Sequence, residues 1–145
     1  MLRHKGAADL NCRLIFYAAR KTAFCERALK KSFSELNLEL DGTYFATNNE
    51  EFGALITSAF ACLDVVFVAG GLGISGENST VSIFSKALSD VSVDECKKLK
   101  NAFGDDGFVV RSQNQILVLL PDEPQQIEII MQGPVNGYIR EYCGA

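Results

Sequence analysis

The chain has 145 residues, 48% of them hydrophobic and 22% charged, with a net charge of −4 and a pI near 5.0. That balance fits one globular domain over residues 1–145, gives no electrostatic footprint for nucleic acid, and leaves no apolar run long enough to cross a membrane. A single histidine, His4, leaves no histidine-based zinc, Ser-His or Cys-His chemistry, so catalysis would fall to carboxylates and a metal.

Residues 1–11 read as a tail with no apolar stretch of the kind a signal peptide needs. Leu14–Ala18 reads as a first buried strand. Thr22 then caps a helix whose apolar side is Phe24, Ala28, Phe33 and Leu36, and which stops at Asn37. Arg20, Lys21, Arg27, Lys30 and Lys31 form a basic cluster that reads as a solvated helix face. Leu40–Ala46 is a second strand with a turn or bulge at Asp41-Gly42. Asn48-x-x-Glu51 is a capping box for a helix in which Phe52, Leu55, Ile56, Ala59, Phe60 and Leu63 recur with helical spacing.

Val65–Ala69 is apolar at every position, as expected of a parallel strand covered by helices on both faces. Val81, Phe84 and Leu88 mark one side of the following helix. Ser92-x-x-Glu95 reads as a capping box for another, carrying Cys96, Leu99 and Phe103 and ending at Gly104. Phe108–Val110 and Ile116–Leu120 form a hairpin around residues 112–115. Pro121 to Pro124 then break the chain before a helix through Ile127, Ile130 and Met131, and Gly133-Pro134 restarts a last helix through Tyr138 and Ile139. Strands alternating with helices predict a three-layer α/β domain with a mainly parallel sheet and an antiparallel C-terminal hairpin extension. Cys12, Cys25, Cys62, Cys96 and Cys143 are odd in number and lack C-x-x-C spacing, so they read as reduced thiols of a cytoplasmic protein.

The stretch that carries chemistry is Gly70-Gly71-Leu72-Gly73-Ile74-Ser75-Gly76-Glu77-Asn78-Ser79-Thr80, a glycine-rich loop between an apolar strand and a helix. Glycines allow positive φ and close approach of an anion, and a helix N-terminus presents unpaired N–H groups. Gly71-x-Gly73-x-x-Gly76 matches the dinucleotide spacing, but it does not follow the first strand and lacks the acid that ends the next one. No Lys-Ser or Lys-Thr follows the glycines, which excludes a Walker A loop. An anionic small molecule therefore has its candidate site at Gly70, Gly71, Leu72, Gly73, Ser75, Gly76, Asn78, Ser79 and Thr80. A tight βα turn with Ser79 or Thr80 as helix cap explains the same residues without a ligand.

The loop resembles the Gly-Gly-Leu-Gly-Pro-Thr-x-Asp-Asp-x-Thr loop of the molybdopterin-binding (MoCF, MoaB/Mog-like) superfamily, most closely in its CinA-type N-terminal domains. Asn48-Asn49-Glu50, Asn101-x-x-Gly104-x-x-Gly107-Phe108 and Leu120-Pro121-x-x-Pro124 are similar to further family segments in the same order, with a shorter stretch between the loop helix and Asn101. The resemblance implies a molybdopterin or nucleotide-phosphate ligand, with Pro121 and Pro124 walling the pocket, and a homo-oligomer, dimer or trimer. It also implies catalytic acids and Mg²⁺. Here the acidic pair after the loop is Glu77-Asn78, the acidic turn after the first strand is Ala18-Ala19-Arg20-Lys21, and the family glycine and glutamate near the end are Asp122 and Gln126. Mg²⁺ relies on one or two carboxylates plus substrate phosphates, so these changes weaken its site. Three readings follow. The first is a ligand-binding domain with degenerate catalytic acids. The second is a Mg²⁺-dependent pyrophosphatase or molybdopterin adenylyltransferase relative using Glu77, also as metal ligand, with Asp122 or Glu123. The third is an oligomeric interaction domain with a vestigial pocket.

Overall fold

The computed structural model describes residues 10–74, 76–112 and 115–142. Six strands form one sheet in the order β2-β1-β3-β6-β5-β4, comprising β1 (Leu10–Tyr17), β2 (Leu38–Ala46), β3 (Val65–Ala69), β4 (Glu95–Leu99), β5 (Gly107–Ser112) and β6 (Gln115–Leu120). β2, β1, β3 and β6 are parallel, while β5 runs antiparallel to both β6 and β4. The helices are α1 (Thr22–Glu35), α2 (Asn49–Cys62), α3 (Thr80–Ala87), α4 (Pro124–Ile130) and α5 (Asn136–Tyr142).

Side-chain alternation along the central strands makes the three layers. Leu14, Phe16, Val65, Phe67, Ala69, Val118 and Leu120 point into a core shared with α1, α4 and α5. Ile15, Tyr17, Val66, Val68, Leu117 and Leu119 point into a second core under α2 and α3. Because both faces are covered, β3 is buried at all five positions.

Local chemistry sets the boundaries. Asn48 Oδ1 accepts from Glu51 N at 2.8 Å, and Glu51 Oε1 accepts from Thr47 N at 2.7 Å, so the start of α2 is capped reciprocally. Glu51 Oε1 also accepts from the Thr47 hydroxyl at 2.9 Å, and the backbone and hydroxyl bonds from Thr47 hold the Glu51 carboxyl below its ordinary range. Asn37 takes the left-handed conformation (φ 58°) that ends α1. The register of β1 against β2 shifts between Cys12 and Leu14, a β-bulge at Asp41-Gly42 that, with charged Glu39 and Asp41, blunts the exposed edge of β2.

Several expectations are corrected. The segment expected to be a helix capped at Ser92-x-x-Glu95 and ending at Gly104 instead contains the edge strand β4, whose Cys96, Lys97 and Lys98 lie exposed opposite Val110, Val109 and Phe108. Ladder pairing with β5 outweighs the capping-box pattern, of whose apolar residues Cys96, Leu99 and Phe103 only Leu99 is buried. Leu10 and Asn11, placed in the tail, belong to β1, where Leu10 is buried. Thr22 is the first helical residue of α1 and not its cap. Lys21 occupies that position in the left-handed conformation with no side-chain cap bond. Phe24 is 59% exposed, and α1 buries Cys25, Leu29 and Ser32 beside Ala28 and Phe33. Val81 is exposed, while Ile83 takes its place in the core with Phe84 and Leu88. Cys12 and Cys25 are buried free thiols, and Cys96 is exposed.

Candidate functional site

The parallel strands β1, β3 and β6 all end on one edge of the sheet, and their following loops meet there. α1 leaves β1 on one face and α2 returns to β3 on the other, so a crevice opens between the ends of β1 and β3. Such a switch point is where α/β sheets bind ligands. A cavity of about 160 Å³ occupies it, lined by Ala18, Arg20, Gly70 to Ile74, Asp105, Pro121 and Asp122.

Its floor requires glycine. Gly70 and Gly71 have φ of +104° and +76°. A Cβ on Gly70 would lie 2.2 Å from the Tyr17 carbonyl oxygen, and one on Gly71 would lie 2.0 Å from Thr80 Oγ1. Gly70 N–H donates to Leu120 O at 3.0 Å, tying the loop to β6. The N–H groups of Gly71, Leu72 and Gly73 donate to no acceptor among the described residues, the condition for an anion cradle. Across the cavity, Asp122 Oδ2 accepts from Arg20 N at 2.8 Å and Arg20 Nε at 3.4 Å, and Lys21 Nζ pairs with Glu123 Oε2 at 2.7 Å. These pairs hold the β1–α1 turn against the β6–α4 loop. With Arg20 85% exposed and Lys21 54% exposed, each adds little stability.

No protein-family model matches the sequence, and no curated protein does. Solved structures do match. The protein CinA of unknown function from Thermoplasma acidophilum superposes with a TM-score of 0.74 at 16% identity, covering 88% of this chain and 97% of that one. The chain has the MoaB/Mog-type fold. A molybdopterin biosynthesis protein from Mycobacterium abscessus matches with a TM-score of 0.67 at 13% identity over 92% of this chain and 94% of its own. The molybdopterin biosynthesis Mog protein from Mycobacterium ulcerans gives 0.67 at 15% identity over 92% and 99%.

In this MoaB/Mog-type domain the sequence-expected site residues separate into three places. Gly70, Gly71, Leu72, Gly73, Pro121 and Asp122 come together in the cavity. Glu123 and Pro124 face a neighbouring groove between α1 and α4 that also holds Lys21, Phe24 and Arg27. Glu77 faces a third hollow, between α2 and α3, with Asn49, Glu50 and Gly53. Asn78 Oδ1 accepts from Asn49 Nδ2 at 2.8 Å, and Asn78 O accepts from the Tyr17 hydroxyl at 3.0 Å. Ser79 caps α3 by accepting from Ser82 N at 3.1 Å. Thr80 is fully buried, its hydroxyl donating to Gly70 O at 2.9 Å. Gly76 opens a short 3₁₀ turn over Gly76–Asn78, and Ser75 lies outside the described residues.

Asp105 and Arg20 are cavity residues that sequence reasoning missed. A Cβ on Gly73 would lie 3.3 Å from Asp105 Oδ2, so this carboxylate faces the glycine loop. The Gly104-Asp105-Asp106-Gly107 turn was its only local signal. Asp105 and Asp122 bring two carboxylates to the cavity, but Asp122 is already engaged by Arg20. Among the described residues no group of three His, Cys, Asp or Glu could hold a metal ion. With Asp122 engaged, Asp105 is the carboxylate the cavity leaves for a metal, so an Mg²⁺ ion there would depend on substrate phosphates for its other ligands. Among the described residues no helix is long and apolar enough to cross a membrane.

Proposed function

We propose that this domain binds a phosphate-bearing small molecule, a molybdopterin or a nucleotide, with the anion seated on the Gly70–Gly73 loop, and that it turns over phosphoanhydrides weakly or not at all. The observation that carries this reading is the cavity at the ends of β1, β3 and β6, where the N–H groups of Gly71, Leu72 and Gly73 have no acceptor among the described residues. Arg20 bonds Asp122 through its backbone and Nε only, leaving the rest of its exposed guanidinium for the ligand's charge. The volume of about 160 Å³ suits a phosphate group better than a whole drug-sized ligand, whose pockets run about 300–1,000 Å³. The names of the Mycobacterium relatives, both molybdopterin biosynthesis proteins, favour a pterin over other phosphate esters.

Weak turnover follows from the acids. Glu77 lies on another hollow, and Asp122 and Glu123 are paired with Arg20 and Lys21. Asp105 alone remains to hold a metal against a phosphoanhydride, where developing negative charge needs neutralising. The test is a thermal-shift panel of molybdopterin analogues, ADP-ribose, ATP and pyrophosphate, with and without Mg²⁺. A ligand at 100 times its Kd stabilises by about 2.7 kcal/mol, on the order of 8 °C for a domain of this size. Gly73→Asp, at an exposed position without positive φ, is expected to stay folded and to lose that shift by placing a carboxylate beside Asp105. Equal binding by parent and variant would refute the site, and turnover at about 1 s⁻¹ or faster would refute weak catalysis.

A further inference from the structure

We propose that Phe103 is the stacking platform for a planar heteroaromatic ring, purine or pterin, borne by the ligand whose phosphate end occupies the glycine cavity. This inference rests on the binding site proposed above. A cavity of about 160 Å³ holds the anionic end only, so the ring must lie at the mouth, and its affinity depends on what the mouth presents.

Residues 100–106 connect β4 to β5. β4 runs in the same direction as β6, so this connection lies at the edge of the sheet where β1, β3 and β6 end. Asp105 on this segment lines the cavity itself. Phe103, two residues away, is 71% exposed, more than any other large hydrophobic side chain described. The next most exposed rings have partners: Phe24 lies 5.8 Å under the Arg27 guanidinium, and Phe45 stacks on Phe16 at 5.3 Å. Phe103 has neither a ring nor a cation against it among the described residues.

The segment is nevertheless held in place. Asn101 N–H donates to Asp106 Oδ1 at 2.7 Å, and Asn101 Nδ2 donates to Asp105 O at 3.0 Å and Gln126 Oε1 at 2.7 Å. Asn101 Oδ1 accepts from Phe103 N at 3.1 Å, while Gln126 Nε2 reaches Phe103 O at 3.4 Å. Asn101 and Gln126 thus fix the backbone on both sides of an exposed aromatic residue. Holding a ring in water this way wins nothing for folding, whereas it lowers the entropy lost when a ligand ring stacks on it.

The test compares Phe103→Ala with the parent by calorimetric titration of three probes: ATP, neopterin triphosphate and inorganic pyrophosphate. Phe103 is exposed, so the variant is expected to fold. Binding of ATP, of neopterin triphosphate or of both should weaken by about tenfold or more, within the range measured for base–aromatic stacking, while pyrophosphate binding is unchanged. Which probe responds identifies the ring. The chain has no tryptophan, so Phe103→Trp supplies a second readout: its fluorescence should be quenched by the responding ring compound and not by pyrophosphate. If Phe103→Ala binds all probes like the parent, or weakens pyrophosphate equally, the stacking role is overturned while the glycine site stands. If pyrophosphate and both ring compounds fail to bind the parent, both readings fall.

Discussion

Gly71→Ala tests whether the loop is built around a buried contact or merely around a turn. The substitution forces an L-residue to φ +76° and places its Cβ 2.0 Å from Thr80 Oγ1 and 2.8 Å from Tyr17 Cδ2. The left-handed backbone costs about 1–2 kcal/mol. Thr80 is fully buried and its hydroxyl donates to Gly70 O, so displacing it leaves a buried donor and acceptor unpaired at about 1–3 kcal/mol more. Tyr17, stacked on Phe52 at 4.3 Å between ring centroids, has little room to move away. A total loss of about 4 kcal/mol is expected, a large part of the 5–15 kcal/mol typical of a domain. Gly76→Ala is the control, because it shares the positive φ (+81°) but has nothing within 4 Å, so it should cost only about 1 kcal/mol. Urea denaturation followed by circular dichroism measures both. If Gly71→Ala costs no more than Gly76→Ala, steric contact with Thr80 is not what demands glycine.

Asn48→Ala removes the acceptor for Glu51 N and should lower stability by about 1 kcal/mol, checked by the same denaturation with slope m unchanged. Tyr138→Phe deletes the hydroxyl that donates to Glu95 Oε1 at 2.6 Å and accepts from Arg111 Nε at 3.2 Å. It should cost about 1 kcal/mol and speed amide exchange in the edge strand Glu95–Leu99; unchanged exchange there would show that α5 does not hold that edge. Burial, with a smaller push from Asp41, raises the Cys12 thiol from 9.0 to about 12, and burial with Asp122 and Glu123 raises Cys25 to about 11. Both folded values lie above the unfolded one, so their stabilising contribution is full below pH 9 and is lost as pH rises toward 11 and 12. Cys12→Ala should flatten the fall in urea midpoint between pH 9 and 11, by at most about 1.4 kcal/mol per pH unit, and an equally steep fall would contradict the assignment.

The glycine loop was legible because its signals are local. An all-apolar strand, a glycine dipeptide and a Ser-Thr helix head are read within the one stretch Val65 to Thr80, and the structure places Gly70, Gly71 and Gly73 on one cavity. The misreading of Glu95–Leu99 has an equally plain cause. Ser92-x-x-Glu95 with Cys96, Leu99 and Phe103 imitates a capped amphipathic helix, and a charged edge strand carries little alternation of its own to contradict it. Thr80 looked like a ligand donor because a hydroxyl at a helix start is exposed in most sequences. Only packing against Gly70 shows that its hydrogen is already spent.

What the sequence by itself determined is the alternation of strands and helices apart from the misread β4, the mainly parallel sheet and a glycine-rich strand-to-helix loop, since each rests on periodicity or backbone freedom within a short window. Only the tertiary structure decided which acids share the cavity. Asp122 and Arg20 are 102 positions apart, as are Glu123 and Lys21, and their pairing neutralises carboxylates that stand alone in the sequence. Asp105 reaches Gly73 because β4 and β5 turn back beside β6, while Glu77, four residues beyond Gly73, turns into a different hollow. Distances across a sheet depend on strand order and crossover, which no local window of residues contains.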